Sequence, residues 1–262
     1  MKQLVIDPQM GMAGDMLCSA LLSLGVPQKE MLLIMEEAAE TIGGAVVTAK
    51  KQTHQGLKGI ILEVKCEKLP PSTKSSLIEK ALIRICQRKK LARSYREFAH
   101  RSLKILIQAE SQAHKQIAKE HTQINQAHSH LHEAQDIIID IAGSAWGLAA
   151  LSLPLHNVIC LAPLRTGSGT IVFSHGRFNV PAPATRVIIN KYNIPTEPGP
   201  VARELFTPTG AALLAALSPT YMDRKKWPSL KKDIPCGVGF GTKKYKVHGH
   251  IKNGLILYAR DY

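Results

Sequence analysis

The chain has 262 residues, and 45% of them are hydrophobic, which is enough to bury a sizeable core and excludes disorder of the whole chain. Lysine and arginine number 34 against 20 aspartate and glutamate, and the resulting formal charge of +14 favours an anionic partner. Only 5% of the residues are aromatic, whereas single-stranded nucleic-acid binders stack bases on aromatic rings, so a nucleotide or another phosphorylated small molecule explains the charge as well as nucleic acid does.

Cysteine spacing and the apolar runs indicate the compartment. Five cysteines are spread widely without a CxxC pair, which predicts a reduced, cytoplasmic setting. The amino-terminal residues reach Asp7 and Pro8 early and lack the long apolar region of a secretory signal. The longest uncharged run, 141–164, contains Pro154 and Pro163, so it is not a continuous membrane helix. We therefore expect no contact with a membrane.

Apolar runs separated by glycine and proline predict strands and helices in alternation along the first half of the chain. A strand over 4–6 is followed by a loop and a helix over 16–24, and a second helix extends to about residue 40. Two strands, 45–50 and 59–66, are expected to pair as a hairpin. Apolar residues at helical spacing then fill 75–120.

The second half continues the alternation. A helical segment over 128–153 precedes strands at 157–161 and 170–173. One helix follows near 186–192, residues 207–210 open another that extends through 217, and two β-like stretches end the sequence. Interleaved strands and helices predict an α/β or mixed α+β fold with a central sheet flanked by helices. We expect a single domain over 1–262, with a helical subdomain at about 75–125.

The region 75–120 also carries the main basic patch. Its cations are either a solvated helical face or an anion-binding surface, and the pattern alone does not decide between them. The patch comprises Arg84, Arg88, Lys89, Lys90, Arg93, Arg96, Arg101 and Lys104.

The segment 128–140 is the richest in potential metal ligands, with three histidines and three carboxylates. A helix that begins near His132 places His132, Asp136 and Asp140 on one face, with His130 in an extended segment before it. Imidazole and carboxylate ligands suit a divalent ion such as nickel or zinc. The alternative is a helix start at which Glu133 and Asp136 favour the helix dipole without any metal.

A glycine-rich turn follows the first predicted strand. Gly11 and Gly14 lie between Asp7 and Asp15, at an edge where open sheets bind ligands. Glycines allow backbone N–H groups to approach phosphate, and either aspartate can hold a divalent cation or act as an acid or base. A plain strand-to-helix turn explains the same residues.

Three later glycine-containing segments are further candidates. In the first, Gly167, Ser168 and Gly169 could cradle an oxyanion that Arg165 neutralises, with His175 close enough in sequence to transfer a proton; an ordinary hairpin is the alternative. The second, with Thr207, Thr209 and Gly210, could present hydroxyls and a helix N-terminus to phosphate, or could simply start a helix. The third is the turn predicted at 237–241.

Taken in order along the chain, these segments resemble one family, the LarC-type nickel insertion proteins of lactate racemase maturation. Asp7-Pro8 with Gly11 to Met16 is similar to its amino-terminal signature, and His130 to Glu133 with Asp136 and Asp140 is similar to its histidine-glutamate motif. The later matches are 167–169, 175–176, 180–185, 204–212 and the glycine-rich 237–242.

The resemblance implies a nickel chelatase of the lyase class. Such proteins insert Ni²⁺ into a pyridinium-3,5-bisthiocarboxylic acid mononucleotide in a reaction that consumes CTP, with Mg²⁺ or Mn²⁺ as its companion cation. We expect His130, His132, Asp136 and Asp140 to bind metal. The acid–base candidates are Asp7, Asp15, Glu133 and His175, and the glycine turns with Arg165 would hold the nucleotide.

Family members carry a further carboxyl-terminal domain that the resemblance does not reach. Either that domain is a separate partner chain, or this chain binds without completing the chemistry. Two other functions are alternatives: a non-catalytic basic module for nucleotides or nucleic acid, which explains the charge, and a divalent-metal phosphoesterase, which uses the same residues. Nucleic acid is not the expected partner, since it leaves the His-Glu-Asp cluster unused, and a homo-oligomer is left open.

Overall fold

A computed structural model describes residues 2–67, 73–120, 130–131, 133–173, 176–227, 236–242 and 254–261. Within these ranges the fold is a mixed α/β arrangement in which helices surround a seven-stranded sheet. The predicted fold class is confirmed. No helix in the described ranges is both long and apolar enough to cross a lipid bilayer.

The helices begin and end at the signals the sequence carries. Gly25 adopts the left-handed conformation after the first helix, Pro27 precedes the second, and Thr207 caps the last with its hydroxyl. The helices are α1 (Gly14–Leu24), α2 (Gln28–Ala39), α3 (Ser75–Arg88), α4 (Arg93–Glu120), α5 (Ala134–Ala150), α6 (Pro183–Tyr192) and α7 (Pro208–Leu217).

Thirteen strands are described, and seven of them form the central sheet. They are β1 (Lys2–Pro8), β2 (Ala45–His54), β3 (Leu57–Cys66), β4 (Thr73–Lys74), β5 (His130–Leu131), β6 (Val158–Ala162), β7 (Leu164–Arg165), β8 (Thr170–Phe173), β9 (Gly176–Asn179), β10 (Thr196–Glu197), β11 (Thr220–Asp223), β12 (Cys236–Phe240) and β13 (Leu255–Asp261).

The order of the central sheet is β11-β6-β1-β13-β12-β3-β2. Strands β11, β6 and β1 are parallel to one another, β13 is antiparallel to both of its neighbours, and β12 is parallel to β3. Strands β2 and β3 form the expected antiparallel hairpin, paired from Ala45–Cys66 to His54–Leu57. The first strand of the chain therefore lies beside a late strand, β13, near the middle of the sheet.

The main core lies between one face of the sheet and the helices. Leu4 and Ile6 of β1 belong to this core, whereas Val5 points to a small cluster on the opposite face. Helix α1 packs on β12, β3 and β13, helix α5 packs on both α1 and α2, and α4 packs on α5, α6 and α7.

The glycine-rich segment predicted as a turn at 237–241 is instead mostly strand β12. Its glycines face α1, and a Cβ atom at Gly239 would overlap the carbonyl oxygen of Met16. Val238 and Phe240, which alternate with the glycines, are buried on the other face. These glycines therefore allow a helix to pack closely on the sheet, and the prediction of a turn here is wrong.

Candidate functional site

A cavity of about 460 Å³ lies where four helices begin. This volume is in the range of small-molecule sites in proteins, about 300–1,000 Å³. Lining residues come from the starts of α1 (Ala13 to Met16), α5 (Glu133, Asp136 and Ile137), α6 (Ala182 to Ala184) and α7 (Thr207 to Thr209). Because helix N-termini carry unpaired N–H groups and partial positive charge, their convergence favours bound negative charge.

Close backbone contacts bring these helix starts together. A Cβ atom at Gly14 would overlap the carboxyl group of Asp140, so only glycine allows α5 to approach α1 at this point. A Cβ atom at Gly210 would likewise overlap the carbonyl oxygen of Met12, and the Thr207 N–H donates to that oxygen at 3.1 Å. Two sequence motifs, 11–16 and 207–212, therefore pack against each other, and their glycines serve this contact.

The polar lining of the cavity is acidic, although the whole chain is basic. Among the described lining residues, none is lysine or arginine and one is histidine, His114. Six carboxylates line the cavity: Asp15, Glu110, Glu133, Asp136, Asp140 and Glu204. Oxygen donors at this density suit a divalent cation, whose charge they would share.

Some of these carboxylates also cap the helices. The Asp140 carboxylate accepts a hydrogen bond from the backbone N–H of Asp15, and the Glu204 carboxylate accepts one from the Ala182 N–H at 3.3 Å. The Asp15 carboxylate accepts from the Met16 N–H at 2.8 Å. The helix starts of α1 and α6 therefore hold negative charge that belongs to the protein itself.

Burial and mutual repulsion raise the pKa values of the aspartates on α5. Burial raises the pKa of Asp140 well above its usual range, and the charges of Asp15 and Asp136 add to the rise. Burial also raises the pKa of Asp136, with a further contribution from Glu133. Crowded carboxylates with raised pKa values are typical of functional sites, because their negative charges, once ionised, require a cation nearby.

The sequence analysis missed one pair of polar residues in the cavity wall. Glu110 and His114 lie one turn apart on α4, and the His114 Nε2 atom is 3.9 Å from a Glu110 carboxylate oxygen. Burial, followed by repulsion from Glu204 and Glu133, raises the pKa of Glu110 to about 7. The sequence contains a pattern that indicates this residue, because the charged Glu110 interrupts the apolar helical stripe that Leu106, Ala113 and Ile117 form.

Asp7 lies outside this cavity, in a buried ion pair. Its carboxylate accepts a hydrogen bond from the Nε of Arg224 at 2.9 Å and another from the Gln9 side chain at 2.8 Å. Arg224 also donates to the backbone carbonyls of Leu161 and Pro163. This network holds the ends of β1, β6 and the segment after β11 together, and the Gly11 N–H closes the turn after β1 by donating to the Pro8 carbonyl at 3.3 Å.

The predicted oxyanion loop is likewise bonded within the protein. Arg165 donates to a Glu197 carboxylate oxygen at 3.1 Å and to the Gln9 carbonyl at 2.9 Å. Both the backbone N–H and the hydroxyl of Ser168 donate to the Val201 carbonyl. Residues 165–169 are not among the described residues that line the cavity, and Gly167 and Gly169 pack against the segment 199–205.

The predicted metal ligands are described in part. Asp136 and Asp140 line the cavity, and His130 belongs to β5, which pairs with β4. His132 and His175 lie outside the described residues. Within the described ranges, no three side chains of His, Cys, Asp or Glu form a ready metal site. The ligand set therefore stays a prediction.

Three of the eight cations of the basic patch form ion pairs among the described residues. Arg88 and Lys89 both pair with Glu37, at 3.7 and 2.9 Å, and Arg93 pairs with Glu97 at 2.7 Å. Such surface pairs are typical of a solvated helical face.

Comparison with known proteins gives the family. The sequence profile of the family described as "Nickel insertion protein" matches residues 4–258. The chain belongs to the nickel insertion protein family. Its segments 11–16, 133–140 and 207–212 thus meet at one cavity within the region the family defines.

Curated relatives agree with this assignment. A protein of Methanothrix thermoacetophila, provisionally named a nickel insertion protein, is 35% identical over 85% of this chain and 52% of its own length. Proteins of the same name from Thermomicrobium roseum and Geobacter metallireducens are 30% and 32% identical over 93% and 94% of this chain, and over 55% and 58% of their own. The chain thus spans about half the length of the curated relatives it matches. No solved structure matches it.

Proposed function

We propose that this chain carries out nickel insertion into a pyridinium-3,5-bisthiocarboxylic acid mononucleotide, in a CTP-dependent reaction of the lyase class. The observation that carries the proposal is the acidic cavity at four helix starts, where Asp15, Asp136 and Asp140 come together from separate motifs. Membership of the nickel insertion family supports nickel as the metal.

The carboxylates on α5 and α1 would receive the Ni²⁺ substrate. Asp136 and Asp140 are one turn apart on α5, and Asp15 is next to Asp140 through the backbone hydrogen bond described above. Nickel accepts both oxygen and imidazole nitrogen ligands, so His130 and His132, which precede α5, would complete the set. Transfer of the metal to an organic ligand requires donors that release it, and carboxylates suit that step better than thiolates.

The helix starts and the apolar part of the cavity wall would hold the nucleotide. Thr207 and Thr209 at the start of α7 would offer their hydroxyl groups to a phosphate. Leu62, Val64 and Leu106 provide an apolar surface for a heterocyclic ring. Because six carboxylates also line the cavity, a phosphate would enter only with a cation, and we assign this role to the Mg²⁺ or Mn²⁺ that accompanies CTP.

The direct test is the mass of the nucleotide after the purified chain is incubated with Ni²⁺, CTP, Mg²⁺ and the bisthiocarboxylate precursor. A nickel adduct that is missing from a control without protein is the expected product. If no adduct forms, the reaction is repeated with the carboxyl-terminal half of a curated relative added as a separate chain. Absence of product in both reactions would refute the proposal.

Variants then test the metal ligands. Joint replacement of His130 and His132 by alanine should abolish nickel loading, as measured by metal analysis after gel filtration. Replacement of the exposed His156 is the matched control. Unchanged loading in the double variant would remove both histidines from the ligand set.

A phosphoesterase would use the same carboxylates with Mg²⁺ or Mn²⁺, so the assay includes simple phosphate esters. Release of phosphate without nickel, together with no nickel adduct, would favour that function instead.

A further inference from the structure

Glu110 and His114 form a polar pair within an apolar part of the cavity wall. Leu106, Ala113 and Ile117, from the same helix α4, also line the cavity and surround the pair. Both side chains are mostly buried, with 30% of Glu110 and 24% of His114 exposed. They belong to a different helix from the predicted metal ligands and come from no motif of the sequence analysis.

The charged groups around this pair are almost all negative. Glu133 and Glu204 are the ones that act on Glu110, and the remaining charged side chains of the described lining are Asp15, Asp136 and Asp140. No lysine or arginine of the described chain lines the cavity to hold Glu110 as an anion. Burial, with a further contribution from this repulsion, raises the pKa of Glu110 to about 7, so that this carboxylate gains and loses a proton near neutral pH.

When a metal ion replaces the hydrogen of a ring carbon, a proton is released, and a base must accept it. The C–H bond breaks, its electron pair forms the bond to nickel, nickel stays divalent, and one H⁺ is released. A base with a pKa near the working pH suits this step, because it is ionised often enough and still binds the proton well.

We propose that Glu110 accepts the proton released when nickel bonds to the substrate ring, and that His114 passes this proton on. The inference rests on the proposed function. The proton moves from the ring carbon to a Glu110 carboxylate oxygen, then through one bridging water to the imidazole Nε2, which is 3.9 Å away, and from there to solvent. Asp136 and Asp140 on α5 would bind the metal, whereas the residues that transfer the proton lie on α4.

The test is the rate of a single round of insertion, measured by the mass of the nickel adduct with protein in excess, from about pH 5.5 to 8.5. Variants are Glu110→Gln, Glu110→Asp and His114→Gln, together with Glu97→Gln as the matched control. Glu97 lies on the same helix but is 63% exposed and pairs with Arg93 outside the cavity.

For the unchanged protein we expect a rate that rises with pH through a midpoint near 7. Glu110→Gln should lower the rate about 100-fold and remove this rise, while the substrate concentration for half-saturation stays the same. Glu110→Asp should restore part of the rate, His114→Gln should shift the profile, and Glu97→Gln should change nothing.

A profile for Glu110→Gln that keeps its rise through pH 7 would overturn the assignment, as would a loss of rate that merely follows a loss of nickel or substrate binding. If the unchanged protein inserts no nickel, either alone or with the carboxyl-terminal half of a relative added, the proposed function fails first, and this inference fails with it. If circular dichroism finds Glu110→Gln unfolded, the profiles of Glu110→Asp and His114→Gln decide, and profiles identical to the unchanged protein would refute the role.

Discussion

Replacement of Glu110 by glutamine should make the stability of the metal-free protein less dependent on pH. The pKa of Glu110 is about 7 in the folded protein, against 4.5 for a solvated glutamate. The folded state therefore keeps this proton to higher pH than the unfolded state. Its contribution is favourable below pH 4.5, declines as the pH rises towards 7, and is lost above that value.

The size of the effect follows from the two pKa values. The difference corresponds to about 3 kcal/mol, and since 30% of the side chain is exposed, screening by solvent reduces it to about 2 kcal/mol. Glutamine has nearly the same shape and does not ionise. The difference in free energy of unfolding, variant minus unchanged protein, should therefore increase by about 2 kcal/mol as the pH rises from about 5 to about 8.

Urea unfolding followed by circular dichroism, in the presence of a chelator, gives this difference at each pH. Glu97→Gln on the same helix should show a difference that hardly changes with pH. A constant difference for Glu110→Gln across this range would refute the reasoning, because it would mean that Glu110 titrates as a solvated glutamate does.

Three further predictions concern the contacts that shape the site. Gly14→Ala should lower the free energy of unfolding by about 1–3 kcal/mol in urea, because the added methyl group overlaps Asp140. The loss should be smaller when Asp140 is also replaced by alanine, and equal losses in both backgrounds would rule out this contact. Thr207→Ala should cost about 1 kcal/mol through loss of the α7 cap, whereas Thr207→Ser, which keeps a hydroxyl, should cost less; the reverse order would be inconsistent with capping. Asp7→Asn should lower the free energy of unfolding by about 3 kcal/mol, because it leaves the largely buried charge of Arg224 unpaired. A variant with normal stability but no insertion activity would instead support the catalytic role predicted for Asp7.

Local patterns in the sequence predicted the elements well. The hairpin of β2 and β3 and the helix that follows Thr207 were each predicted from residues that are close together in the chain. The spacing of Asp136 and Asp140 likewise placed both on one face of a helix, and both line the cavity. These are short-range properties, which periodicity and capping residues determine.

The composition of the site could not be predicted in the same way. Arg165 was predicted to neutralise an oxyanion and Asp7 to hold a cation or act as an acid or base, because their partners Glu197 and Arg224 are 32 and 217 residues away in the chain. Whether a charge is paired depends on strand order, which the pattern of elements does not determine. Glu110 was overlooked for the same reason, since its surroundings come from α4, Glu133 and Glu204.

The position of β13 has a consequence for how the molecule assembles. This strand alone joins β11-β6-β1 to β12-β3-β2, and it pairs with β1 through residues about 250 positions apart. Without residues 255–261, the sheet would be divided into two sets of three strands, with the edges of β1 and β12 unpaired. Because closure over so long a loop is slow and open edges can pair with other chains, we expect folding to be limited by the arrival of β13. The chain would then need protection from aggregation until this strand, made after the six others in the sheet, completes it.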